Sequence, residues 1–376
     1  MRIYLSFLCL ITISFNCFAE KTNGFFAVDT DPQLGKMTNF DASALCHVAG
    51  EVNHYLTQFT QDEFAVHAGK VFDSKVTLPR VERTLEFICQ TYQDDVRAKR
   101  NSRLYDDVFL KENFEFYRWT PDVKTARAIA VKSTNKTKTR MLNAIPEDKI
   151  FLTKYYTKLL TASDVKTPVY NQALYALPYD EQGLTLAQGN ENLSLTRHLY
   201  TRQQIISGVL AEKKLAKPLI WLTEEALHDV LLQGTGVVDV NSTRRYFNVH
   251  RNNGIAYDYA IGKREQARYW YFSEVPSIMG YGGTLANKIA LSPQVSFAGN
   301  VAELGLGKLF VVSYELGAEQ VSRLGVLADQ GGAFDHNLFQ LDLLVDSYYG
   351  WEDYHKANHY LPDYAHAWLM LLKDKN

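Results

Sequence analysis

The segment Asp329-Gln330-Gly331-Gly332-Ala333 carries the residue types best suited to chemistry. It follows the apolar run Leu324-Gly325-Val326-Leu327-Ala328, so an aspartate closes a strand at a Gly-Gly turn. Glycine there permits a tight path and close approach of a ligand to backbone amides. Asp335, Asp342 and Asp346 lie downstream, the last in Asp346-Ser347-Tyr348-Tyr349-Gly350. A protonated carboxyl among them is a candidate general acid for breaking a glycosidic bond. The competing reading of each aspartate alone is a turn or cap residue. The residues by themselves do not choose between the two.

Two other clusters bear on chemistry. Gln233-Gly234-Thr235-Gly236 sits between two β-prone runs, which suggests a bulge or hairpin turn, or an amide contact to a polar ligand through Gln233. It is not a phosphate loop, because no helix start and no Lys-Ser or Lys-Thr follows. His355 and His359 are four apart and near Asp353. They lack a third convincing ligand and the metalloprotease glutamate, so no metal site and no cofactor are expected. There is no Gly-x-Ser-x-Gly elbow for a serine nucleophile.

The elements that hold these residues belong to a globular chain. It has 376 residues, 46% hydrophobic and 22% charged, which excludes disorder, collagen and coiled coil as descriptions of the whole. Lys plus Arg number 40 against 42 Asp plus Glu, for a net charge of −2, so a dedicated nucleic-acid binder is not expected. Aromatics reach 13%, which suits a β-rich core as well as a sugar or peptide groove.

Arg2 precedes an almost wholly apolar stretch from Ile3 to Phe15, too short to span a bilayer. Cys17-Phe18-Ala19 offers a cleavage site. The expectation is a secretory signal over residues 1–19 and a mature chain, not membrane-spanning, in the periplasm. Association with the outer membrane stays open. The alternatives are a buried N-terminal helix and a lipoprotein signal ending at Cys17. In an oxidising compartment the two cysteines left, Cys46 and Cys89, are read as a disulfide, with two buried thiols as the alternative.

Apolar residues at three- and four-residue steps predict a helix over residues 42–59 and another over 78–93, with Pro79 in a first turn. A bridge from Cys46 to Cys89 would join them. Residues 21–40 read as an extended entry, and the Lys- and Thr-rich residues 124–140 as a solvated loop. From about 150 onward short β-prone runs dominate: 150–152, 168–170, 230–232, 237–240, 246–249, 269–272, 309–312 and 367–371, with one helix near 201–211. The class is mainly β with N-terminal helices (α+β), and a barrel is favoured over a parallel sheet.

These segments, in this order, resemble the membrane-bound lytic murein transglycosylase A family with its C-terminal three-Asp domain. Asn113-Phe114-Glu115-Phe116-Tyr117 is similar to its Asn-Phe-Thr-Pro-Tyr, and Phe151 to Lys158, with Tyr155 and Tyr156, to its Gly-Tyr-Tyr-Glu-Pro. Thr201-Arg202-Gln203-Gln204-Ile205 resembles Thr-Arg-Ala-Glu-Ile, and Gln233 to Gly236 resembles Gln-Gly-Ser-Gly. Asn253-Gly254 with Tyr257 resembles Lys-Asn-Gly-x-x-Tyr, Asp329 to Ala333 resembles Asp-x-Gly-Gly-Ala, and Ala367-Trp368-Leu369 resembles the closing strand. The likeness spans roughly residues 113 to 372.

The resemblance implies a double-psi-type β-barrel with an inserted smaller β domain. The barrel would take residues 20–171 and 269–376, and the insert 172–268. A groove between them would hold a peptidoglycan glycan strand. One aspartate would cleave the bond between N-acetylmuramic acid and N-acetylglucosamine, leaving a 1,6-anhydro product. An apolar setting would raise that acid's pKa. The implied substrate contacts are Gln233, Gly234, Thr235, Gly236, Tyr155, Tyr156, Asn253, Gly254, Tyr257, Gly331, Gly332 and Ala333.

The chain departs from the family at the acid itself. Gln340 and Leu341 stand where the catalytic aspartate is expected, 11 or 12 positions after the Asp-x-Gly-Gly-Ala aspartate. Asp346 alone reproduces the family's Asp-x-x-x-Gly and is the first candidate. Asp342 is the second, and Asp329 would support the acid or the sugar. A non-catalytic peptidoglycan-binding or scaffold protein on the same fold is the runner-up. Cell-envelope protein partners, for instance on the helices of 42–93, stay open.

Overall fold

The computed structural model describes residues 25–374 except 332, 333, 335 and 336. The expected signal segment, Gly332 and Ala333 lie outside the described residues. Six strands close a barrel. Ile150–Thr161 runs parallel to Gln340–Tyr348, which pairs antiparallel with Ser296–Ala298. That short strand runs parallel to Glu319–Asp329, which pairs antiparallel with Leu309–Leu316. Leu309–Leu316 pairs with Tyr364–Leu372, and Tyr364 and Ala365 return to Phe151 and Ile150 to complete the ring. Phe114–Trp119 and Phe26–Asp29 extend the sheet outward from Tyr364–Leu372. The architecture is thus a six-stranded closed barrel with N-terminal helices.

The barrel strands are buried almost throughout, from Leu309 to Tyr314 and from Val321 to Ala328. A strand buried on both faces reads as a continuous apolar run rather than an alternation. The outer cover is supplied by two helices, Ala42–Gln58 and Leu78–Arg97, near the ranges their periodicity predicts. Asp41 caps the first by accepting from the Ala44 amide. Cys46 and Cys89 tie the pair, with Cα atoms 4.5 Å apart.

A second core is packed apart from the first. It contains Leu174, Ile220, Leu227, Val238, Phe247 and Phe272, and draws its residues from between Leu160 and Phe272. One strand serves both cores. Ile150–Thr161 lies in the barrel at its start, and its last residues, Leu159 to Thr161, pair with Val237 to Asp239. From there the sheet continues through Thr243–Asn252 to Trp270–Val275. Within this part a fully buried Glu181 accepts from Arg197 at 2.8 Å and Arg251 at 2.8 Å, so its charge is compensated on two sides.

Three expectations fail locally. Residues 124–140 are not a loop: Val123–Lys132 and Lys136–Asn143 are helices, capped by Asp122 and Asn135. They bury Ala126, Ala130 and Leu142 against Phe151 and Phe339. The run 230–232 is not a strand but the end of the helix Glu224–Gln233. Three apolar residues carry no period, and the capping residue Thr223 with Glu224 and Glu225 in the first turn favours the helix. Nor do 168–170 form a strand; pairing begins at Gln172. Among the described residues no helix is long and apolar enough to cross a membrane.

Candidate active site

Two carboxylates meet through one short strand. Asp329 ends Glu319–Asp329, and Asp342 lies on Gln340–Tyr348; both are register partners of Ala298, which runs between them. Tyr155 and Thr153, two apart on Ile150–Thr161, point to one face of that strand. The Tyr155 hydroxyl donates to Asp329 Oδ2 at 3.2 Å, and the Gln330 amide donates to Asp329 Oδ1 at 2.9 Å. Thr153 is the register partner of Asp342.

The electrostatics follow from burial. Asp342 is pushed up from 3.8 to about 6, first by burial, with the neighbouring Asp329 charge acting in the same direction and the Thr153 hydroxyl and Lys154 opposing. Asp329 is also raised to about 6 by burial, against the Gln330 amide, the Tyr155 hydroxyl and Lys288. The difference between them is in their partners. Asp342 Oδ1 is buried without a hydrogen-bond partner among the described residues, whereas both oxygens of Asp329 are engaged. An unpartnered buried carboxyl oxygen favours the protonated form, which can donate to an incoming acceptor.

Asp346 has a different environment. Its side chain is 47% exposed and paired to Arg244 at 3.4 Å. The cause is a bulge. The register shifts between Leu344 and Asp346, so Asp342 pairs with Thr153 and Asp346 with Tyr156. Four residues on one strand thus match three on the other, and the two aspartates face opposite sides of the sheet. Gln340 receives an Asn337 amide at 2.8 Å and donates to Thr153 Oγ1 at 2.7 Å, while Leu341 is fully buried.

The other expected contacts scatter. Tyr156 faces away from Tyr155 and stacks on Tyr354 at 4.7 Å. Gln233 ends a helix rather than a strand, and its Oε1 accepts from the Lys158 amide at 3.3 Å. Gly234 is the C-cap at φ 76°, a conformation that favours glycine. Thr235 accepts from Asn248 at 3.0 Å, and a Cβ on Gly236 would come within 3.2 Å of Val230. Asn253 is buried and committed to Tyr200, Ala267 and Tyr269, so it holds the loop and has no atom left for a ligand. Gly254 follows it at φ 76°. Tyr257 packs on Tyr259, with ring centroids 5.0 Å apart. A Cβ on Gly331 would overlap the Phe334 ring. His355 and His359 lie on the helix Trp351–Asn358 and at its C-cap, with ring centroids 6.2 Å apart.

Sequence reading missed Thr153, Lys288 and Ala298. Lys288 adds positive charge beside Asp329 and donates to the Gly280 carbonyl at 3.2 Å. Nothing in a three-residue strand or an isolated lysine announces such a role.

Comparison with known proteins adds the following. Residues 151–267 match the model of the MltA specific insert domain. No curated protein matches the sequence. The chain is similar to solved structures at low identity. E. coli MltA with bound chitohexaose shares 15% identity over 93% of this chain and 95% of that one, with a TM-score of 0.49. A membrane-bound lytic murein transglycosylase from Agrobacterium tumefaciens shares 14% over 86% and 91%, at 0.49. The lytic transglycosylase LtgG of Burkholderia pseudomallei shares 16% over 92% and 96%, at 0.42. The family match includes Tyr155, Gln233 and Tyr257 but not Asp329, Asp342 or Asp346. Over residues 151–267 the chain carries a match to the MltA specific insert domain, and that domain is what it is similar to by sequence.

Proposed function

We propose that this chain is an exported peptidoglycan lytic transglycosylase in which Asp342, rather than Asp346, is the general acid and base. The observation that carries the assignment is the Asp342 carboxyl: buried, raised to about 6, and with one oxygen unpartnered among the described residues. The insert-domain match supports the substrate class. Protonated Asp342 would give its proton to the glycosidic oxygen as the bond from that oxygen to the muramoyl anomeric carbon breaks. The resulting carboxylate would take the proton of the muramoyl 6-hydroxyl as that oxygen bonds to the same carbon. The acid is regenerated, no water is consumed, and the product is a 1,6-anhydro sugar. One carboxyl suffices because the nucleophile belongs to the substrate. Asp329, held by Tyr155 and Gln330, would keep its neighbour protonated by its own negative charge.

A second reading has one observation in its favour. Gln340 fills the position at which the family resemblance expects the acid, and it is closed into hydrogen bonds with Asn337 and Thr153. On that reading the chain binds peptidoglycan without cleaving it. Digestion of purified sacculi by the mature protein separates the two. Release of anhydromuropeptides supports the enzyme; binding without release supports the scaffold.

A further inference from the structure

The second core carries a cavity of about 430 Å³ that the proposed reaction does not use, within the range of small-molecule sites. Its walls divide by chemistry. Leu231, Tyr257 and Trp270 give it apolar and aromatic surface, and Arg202, Lys263 and Arg268 give it positive charge. None of the three cations has a carboxylate within 4.0 Å among the described residues, whereas the buried Arg80 and Arg197 are paired to glutamates and the buried Arg323 is held by Tyr314 and Gln294.

Arg202 is the clearest case. It is 4% exposed, and its guanidinium is held by carbonyls only, Nε to Arg268 at 2.7 Å and Nη1 to Lys263 at 2.9 Å. Its Nη2 makes no hydrogen bond among the described residues. Arg268 lies over the Trp270 ring at 4.5 Å, and its buried Nε has no partner among the described residues. The acids nearby in sequence are spent on backbone amides: Asp258 accepts from Ala260 and Glu265 from Gly262. A buried charge without a counter-ion is costly, and a bound anion removes that cost.

We infer that this cavity is an anion site for the carboxylate of a short peptide, with the aromatic wall taking the peptide's apolar part. The class rests on the peptidoglycan reading, whose stem peptides supply such carboxylates. The shared chemistry, an anionic oxygen group, is also offered by phosphate, so both are tested.

Calorimetric titration of the full mature chain with isolated stem tetrapeptide, and separately with inorganic phosphate, provides the test. The peptide is expected to bind, and Lys263→Gln and Arg268→Gln are each expected to weaken it about tenfold or more, the loss of one charge-assisted contact. Thermal unfolding of both variants at the parent temperature shows that the fold is retained; Arg202→Gln is not used, because Arg202 also holds two carbonyls. Failure of the parent to bind the peptide, or variants that bind it as the parent does, would overturn the inference. Phosphate bound as tightly as the peptide would overturn the peptide class. Peptide binding is read without any product release, so its failure is distinct from failure of the transglycosylase reading.

Discussion

Asp329 and Asp342 share a single strand partner, Ala298, the first through a parallel pairing and the second through an antiparallel one. The segment Ser296–Ala298 is only three residues long, yet it brings together two carboxyls that are 13 positions apart in sequence. Burial at this junction keeps both from ionising at the usual carboxylate pH, and the Asp329 charge adds to the effect on Asp342.

That junction sets a pH profile. In the proposed mechanism the first step needs Asp342 protonated, so product release is expected to fall as pH rises through about 6. Stability should follow the same sign. The folded pKa lies above the unfolded value of 3.8, so stability from this group is full below about 3.8 and is lost as pH rises through about 6. Asp342→Asn is therefore expected to raise stability at pH 8, by at most about 3 kcal/mol, and to leave it little changed at pH 3. Denaturant titration at the two pH values checks this; a loss at pH 8 would contradict it.

Tyr155→Phe removes the hydroxyl that donates to Asp329. The Asp329 carboxyl should then titrate at higher pH, because the bond to its charged form is gone. A more often neutral Asp329 repels less charge on Asp342, so the pH at which release falls should move down. Carboxyl NMR titration of the parent and the variant reads both shifts, and unchanged values for both would contradict the account.

Lys308 makes a separate prediction. It is fully buried, donates to the carbonyls of His67 at 3.2 Å and Leu306 at 3.1 Å, and has no carboxylate partner among the described residues. Burial lowers its pKa from 10.5 to about 7. The unfolded chain holds this proton between about 7 and 10.5 and the folded chain does not, so stability rises with pH across that window. Lys308→Met is expected to remove the slope and to help most below pH 7. Equal slopes in the two proteins would count against it.

Reading ahead from sequence worked where a pattern has a physical period. The helices Ala42–Gln58 and Leu78–Arg97 show theirs through Leu45, Val48, Val52 and Leu56, and through Val81, Leu85 and Ile88. It failed where the pattern is short or shared. The helix at Glu224–Gln233 was announced by Thr223 and by Gly234, but an apolar triplet outweighed them. The different facing of the two aspartates was hidden for another reason. Asp346 fits a linear motif better than Asp342, but the bulge before it reverses its face, and no residue type marks that bulge.

The pair Cys46 and Cys89 closes a long stretch between the two covering helices. Replacing both by alanine is expected to cost about 2–4 kcal/mol, chiefly by freeing the unfolded chain. Equilibrium unfolding of oxidised parent and double variant measures it, and equal stabilities would contradict a stabilising role.

The central claim concerns which carboxyl moves the proton, and release of anhydromuropeptides from sacculi by Asp342→Asn tests it most directly. The account predicts a fall of about a hundredfold or more, with sacculus binding kept and with Asp346→Asn close to the parent. Release by Asp342→Asn at the parent rate would contradict it.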